Sequence, residues 1–168
     1  MSIQDVWKSG DVERFHSIPN VKKQTIAAHS WGVAVIINHI YPGASKALIL
    51  EALYHDTAEV STGDIPAPVK RASPQIKQLL DGMEHDWRMA RGIPVAELSE
   101  EETVVLKIAD ALDGMMYCLS RRLSGEHGGV VIAHTWNSYL VEHEWMMLRM
   151  PKARKLVDHI MTVLEGLR

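Results

Sequence analysis

Four times along this chain a serine or threonine stands just before an apolar run of helical spacing, and no run of alternating β-branched and polar residues lies between turn signals. This pattern restricts the chain to helices packed on helices. A short amphipathic piece over Ile3 to Lys8 precedes Gly10, and an irregular stretch runs from Arg14 to Gln24 around Pro19. Thr25 caps a helix whose apolar positions Ile26, Val33, Ile36, Ile37 and Ile40 recur until Pro42-Gly43. Ser45 caps the next, an apolar run ending in Tyr54-His55-Asp56. The segment from Ser61 to Lys70 contains Gly63, Pro66 and Pro68 and reads as a loop able to cover a site. Ser73-Pro74 opens a helix to Gly92, and the Ser99/Glu102 capping box opens a longer one to about Leu123. Two more, about Val130 to Met150 and Lys152 to Leu167, are divided at Pro151. The expectation is an all-α bundle of about six to seven helices, one domain over residues 1–168.

At 168 residues and 46% hydrophobic content the chain can bury a core and carry a preformed cleft. Its net charge of −3 gives no basic field, so a nucleic-acid polymer is not expected as a partner. Cys118 is the only cysteine, which rules out an internal disulfide and a CxxC metal site. Without a leader or an apolar run of about 18 residues, a cytoplasmic protein with no membrane contact is expected.

Chemistry is carried by a dipeptide that counting alone would dismiss. Nine His and nine Asp in 168 residues predict roughly half a His-Asp pair by chance, and two occur. After His55-Asp56 comes Glu59, four and three residues on, which on a continuous helix would project from the same side as both. The apolar run before them implies burial, where uncompensated carboxylates are costly and a cation removes the cost. His29 and Asp110 lie in similarly apolar helical settings, and together with His55 and Asp56 they form a candidate His-His-Asp-Asp shell. Read singly, each has an ordinary alternative: a capped or solvated His, or an Asp paired with a nearby Lys or Arg. His85-Asp86 has no carboxylate a turn later and reads as a solvated helical face. The spacing of His134, His143 and Glu144 specifies no second metal site, and Trp136, Trp145, Met146 and Met147 read as packing between helices or across a subunit interface.

The set of a His, a later His-Asp and a distant Asp resembles the HD-domain phosphohydrolases. Within them Arg14-Phe15, Ala28-His29-Ser30, Tyr54 through Glu59, Thr62 through Lys70 and Ala109-Asp110-Ala111 resemble the 5′-deoxynucleotidases, over roughly residues 10 to 120. In size the chain is also similar to the bacteriophage dATP triphosphohydrolases of the same fold. Two positions depart from the nucleotidase pattern: Phe15 stands where an Arg-Trp pair is usual, and Ala28 where a Glu commonly precedes the first His.

The resemblance implies metal-dependent hydrolysis of the 5′ phosphoester bond of 2′-deoxynucleotides, releasing phosphate from a dNMP or tripolyphosphate from a dNTP. Two imidazoles and two carboxylates suit Mn²⁺, Co²⁺, Fe²⁺, Ni²⁺ or Zn²⁺ rather than Mg²⁺. Glu59 is the candidate general acid or base. Asp64 resembles the family residue that receives the sugar 3′ hydroxyl and excludes a 2′ hydroxyl, its alternative being a turn Asp. Arg14 suits a phosphate clamp. Lys70 and Lys107 are further candidate cations, and convergence of all three would favour a triphosphate. Phe15 could stack on the base, with Ser17, Ile18 and Pro68 beside it. A homo-oligomer, at least a dimer, is expected. Two rivals remain: a regulatory nucleotide-binding module of the same fold without chemistry, and an interaction protein whose polar cluster holds no metal.

Overall fold

The computed structural model describes residues 3–167, with the side chain of Pro68 outside the described residues. The chain folds into α1 (Ile3–Lys8), a 3-10 turn, the two-residue strands β1 (Glu13–Arg14) and β2 (Gln24–Thr25), α2 (Ile26–Ile40) and α3 (Lys46–Tyr54). These are followed by α4 (Glu59–Thr62), α5 (Ala67–Ala72), α6 (Pro74–Ala90), α7 (Glu100–Leu123), α8 (Val130–Val141), α9 (Glu144–Arg149) and α10 (Pro151–Gly166). Each of the four expected caps is formed. Thr25, Ser45, Ser73 and Ser99 accept from the amides of Ala28, Leu48, Ile76 and Glu102, and the Ser99 amide donates to the Glu102 carboxylate. These bonds satisfy amides that the first turn of a helix leaves unpaired.

The helix α7 is the axis of the molecule. Val105, Ile108, Ala109, Ala111, Leu112, Met115 and Cys118 are all buried on it, so apolar contact covers one whole side of the helix. Against it pack α2, through Val33, Ile36, Ile37 and Ile40, as well as Leu48 and Ala52 of α3 and Ala153, Ile160 and Leu164 of α10. Among the described residues no helix is long and apolar enough to cross a membrane.

The structure departs from the expected layout in three places, two of which raise the helix count. The supposed loop after Glu59 carries two short helices, α4 and α5, with only residues 63–66 irregular between them; Pro68 sits in the first turn of α5, where its missing N–H costs nothing. The segment from Val130 to Met150 is two helices. An unbroken helix would place Glu144, four residues after buried Leu140, on the core face; the turn at 142–143 instead exposes Glu144 to Arg154 and buries Met146 and Met147. Finally, Arg14 to Gln24 is not wholly irregular: Glu13 pairs with Thr25 and Arg14 with Gln24 in an antiparallel ladder that closes the segment into a hairpin-like strap.

Candidate active site

Four side chains from three elements converge here. His29 comes from the second turn of α2, His55 and Asp56 from the turn after α3, and Asp110 from the middle of α7. His29 is fully buried. Its Nε2 lies 3.3 Å from His55 Nε2, 3.2 Å from Asp110 Oδ1 and 3.4 Å from Asp56 Oδ2, and His55 Nε2 lies 3.4 Å from Asp56 Oδ1. Ligand atoms of His29, His55 and Asp110 fall within 4.8 Å of one another, the separation one ion could bridge.

Helical spacing places His55, Asp56 and Glu59 on a single helix, but α3 stops at Tyr54. Residues 55–58 form a tight turn in which Thr57 N donates to Tyr54 O at 3.1 Å and Glu59 N to Asp56 O at 3.0 Å. Side chains complete the helix end: Thr57 Oγ1 donates to Tyr54 O and the His55 Nδ1–H to Ala52 O. A carbonyl only accepts, so the His55 proton lies on Nδ1 and its Nε2 lone pair faces the cluster. Glu59 then opens α4, buried, with Oε1 3.4 Å from Lys70 Nζ and Oε2 without a hydrogen-bond partner.

Charge in this group is unbalanced. Burial works against ionising Asp56, yet His55, His29 and Arg14 hold its carboxyl far below the ordinary range. Burial, reinforced by Asp56 and Asp64, pushes Glu59 up to about 9. Burial and Arg14 oppose a proton on His29, but Asp110, Asp113 and Asp56 hold it well above its usual value. The cluster therefore draws in positive charge. Asp110 Oδ1 is buried without an aligned donor, although His29 Nε2 is close. An N2O2 donor set with an orphaned carboxylate oxygen at its centre fits a divalent transition metal.

A cavity of about 370 Å³ opens on this cluster. Arg14, Asp56, Glu59 and Asp110 supply its polar lining, and Phe15, Ser17, Ile18, Asp64 and Lys70 also line it. Arg14 lies buried with Nη2 3.6 Å from Asp110 Oδ1 and Nη1 unbonded. Phe15 holds φ 60°, rare for a non-glycine residue, and stacks on Tyr117 at 5.4 Å, so one face of its ring is already covered. Lys107 does not line the cavity. It is exposed, one turn along α7 from Asp110, and Arg71 of α5 lines the cavity along with Lys70. The Pro68 side chain lies outside the described residues, and the wall there is supplied by Ile65, Pro66 and Ala67. Trp136, assigned from sequence to packing alone, also lines the cavity, with Ile132 and Thr135 of the same helix. His85 and Asp86 are exposed on α6, as expected.

Two features of the site escaped the sequence reading. Asp113 is buried, with Oδ2 2.6 Å from His29 Nδ1 and 2.9 Å from Gln24 Nε2. Its signal was its place three residues after Asp110, on the same face of α7. Arg71 carried none beyond its neighbour Lys70.

Residues 7–93 match the family model described as 5′-deoxynucleotidase YfbR-like. A 5′-deoxynucleotidase of Photorhabdus laumondii is 31% identical over 144 residues, covering 69% of this chain and 71% of that protein. The 5′-deoxynucleotidase YfbR of Salmonella arizonae is 32% identical over 139 residues, covering 69% and 70%. Among solved structures, the cyanophage S-2L HD phosphohydrolase DatZ, bound to dA and one catalytic Zn²⁺ ion, superposes with a TM-score of 0.64 at 21% identity, covering 99% of this chain and 95% of that one. An HD-domain phosphohydrolase from Listeria innocua gives 0.67 at 20% identity, covering 99% and 97%. At those identities the likeness is one of fold.

Proposed function

Because this chain belongs to the YfbR-like 5′-deoxynucleotidase family of HD-domain phosphohydrolases, we propose that it hydrolyses the 5′ phosphoester of 2′-deoxynucleoside monophosphates, releasing a deoxynucleoside and phosphate. One observation carries the reading beyond the family: Arg14 and Asp110 line one cavity, and each keeps a buried polar atom there, Nη1 and Oδ1, without a hydrogen-bond partner. His29, His55, Asp56 and Asp110 would hold the metal, which when bound polarises a phosphate oxygen and acidifies a water. Arg14 grips the phosphate through its guanidinium fork. Glu59 takes the proton of the attacking water at Oε2, which has no hydrogen-bond partner, and returns it to the 5′ oxygen as the bond to phosphorus breaks. Asp64, at the cavity wall 3.9 Å from His16 Nδ1, receives the 3′ hydroxyl. Phe15, Ser17 and Ile18 on one side and Trp136 on the other hold the base.

The charge at the cavity supports a monophosphate. Lys70 is tied to Glu59 and lies 4.0 Å from Glu84, while Arg71 is held over the rings of Trp136 and Tyr139 at 5.8 and 5.7 Å. Lys107 is outside, which leaves Arg14 as the cation against the ligand cluster. We take residues 1–168 as one HD domain working as a homo-oligomer, in which exposed Val141, Trp145 and Leu148 are covered.

Incubation with each dNMP and dNTP in Mn²⁺ or Co²⁺, followed by identification of the inorganic product, tests the reading. Phosphate from several dNMPs is expected. Tripolyphosphate from dATP alone would replace it with a triphosphohydrolase in which Lys70 and Arg71 also bind phosphates. No turnover of any of them, with nucleotide still bound, would select the regulatory module.

A further inference from the structure

We propose that Asp113 is the positioning residue that makes His29 a metal ligand, and that Gly32 is present to admit it. The inference rests on the metal-site reading above and deepens it.

The two ring nitrogens of His29 face different groups. Nε2 points into the ligand cluster, while Nδ1 lies 2.6 Å from Asp113 Oδ2. An ionised carboxylate offers only acceptors, so this bond holds the His29 proton on Nδ1 and leaves the Nε2 lone pair for the ion. His55 is oriented in the same sense by the Ala52 carbonyl. The two ligands differ in their supports, because a carboxylate raises the basicity of a ligating imidazole more than a neutral carbonyl does. Asp113 is held ready for this role by Gln24 of β2, whose Nε2 donates to the same Oδ2 at 2.9 Å; Arg14 Nη1, at 4.0 Å, adds no hydrogen bond. His29 is its shortest partner.

Helix register explains why one element can supply both carboxylates. Asp110 and Asp113 lie three residues apart on one face of α7, and His29 and Gly32 lie three apart on the facing side of α2. The imidazole enters between the two aspartates, and the next position on α2 must clear the second. A Cβ placed at Gly32 would stand 2.0 Å from Asp113 Oδ1 and 2.9 Å from its Cγ. Gly32 is not among the residues of positive φ, so its backbone does not require glycine. Within a helix glycine is less favourable than alanine, which leaves the approach of the Asp113 carboxylate as the reason for it.

The test uses metal-free full-length protein titrated with Co²⁺, following the visible absorption of the bound ion, with circular dichroism and urea midpoints as controls on folding. Asp113→Ala is expected to raise the Co²⁺ Kd roughly 10- to 100-fold. Asp113→Asn, which keeps an acceptor for the Nδ1–H and nearly the same shape, should fall between it and the wild type. Gly32→Ala leaves every polar group of the site in place and should weaken Co²⁺ in the same direction by displacing Asp113. Wild-type affinity in folded Asp113→Ala overturns the proposal. Should that variant not fold, wild-type affinity in both Asp113→Asn and Gly32→Ala overturns it equally. A wild-type protein that takes up no Co²⁺ overturns the metal-site reading itself, a result separate from equal binding by wild type and variants.

Discussion

Among the described residues, carboxylates are buried between helices at two contrasting places, and the chain completes the pairing at one of them. Glu51 of α3 meets Arg88 of α6 through two parallel bonds of 2.6 and 2.8 Å, and its Oε2 also accepts from the Ala96 amide. Arg88 in turn donates to Pro94 O, leaving only its Nε unpaired. Although burial would raise it, these donors hold the Glu51 carboxyl below its ordinary value. The second place, beside α7, gathers Asp56, Glu59 and Asp110 with two imidazoles and one guanidinium, and leaves Asp110 Oδ1, Glu59 Oε2 and Arg14 Nη1 buried without hydrogen-bond partners. A buried charge that the chain satisfies is a brace. One that it leaves unsatisfied marks where something else binds.

That contrast can be broken most sharply at Asp110. Asp110→Ala should abolish stoichiometric metal uptake and lower turnover by roughly 10³-fold or more, several kcal/mol of transition-state stabilisation, while the fold survives. Elemental analysis of the purified variant beside its kcat decides this, and metal retained at full activity would remove Asp110 from the shell. Glu59→Ala should lower kcat by roughly 10²–10⁴-fold with the ion still bound, separating a catalytic carboxylate from a ligating one. An unchanged kcat would exclude Glu59 from proton transfer.

The brace should respond in the opposite way. Arg88→Ala strands the Glu51 charge and is expected to cost about 3–5 kcal/mol in urea unfolding, with kcat of the folded enzyme unchanged. A loss of kcat without a loss of stability would mean that α6 serves the site. The smallest effect comes from Cys118, buried in the core on α7. Burial pushes the Cys118 thiol up from 9.0 to about 12, so above 9 the unfolded chain loses a proton that the folded chain keeps. Its contribution is complete below that pH and declines as pH rises, by about 1 kcal/mol between roughly pH 9 and pH 10. Urea midpoints at the two pH values should fall less in Cys118→Ala than in the wild type; equal falls would assign the slope to other groups.

Much of the site was legible because its residues violate their local surroundings. His29 and Asp110 sit in apolar helical runs, and His55-Asp56 ends one, whereas His85-Asp86 lies on an exposed face and signals nothing. The cap residues were legible for a similar reason, since each acts within one turn of its own position. Asp113 was passed over because an aspartate on a helix looks alike whether it faces solvent or a histidine 84 residues away in sequence. The Glu51–Arg88 brace was missed on the same ground, its partners standing 37 residues apart. Lys107 was favoured over Arg71 because closeness to Asp110 in sequence was taken for closeness in space. The turn at 55–58 went unseen because three side-chain positions at helical spacing also fit a tighter turn.

By itself, then, the sequence determined that this chain is built mainly of helices, where its main helices begin, and which four donors have no local way to settle their charge. These follow from interactions within a few residues along the chain, where spacing is geometry. Only the tertiary structure decided which carboxylates are braced and which are left open, that Asp113 backs His29 past a glycine, and which cations share the cavity. Those outcomes depend on how α2, α3, α6 and α7 meet, and helix packing brings together residues whose separation in sequence carries no information about distance.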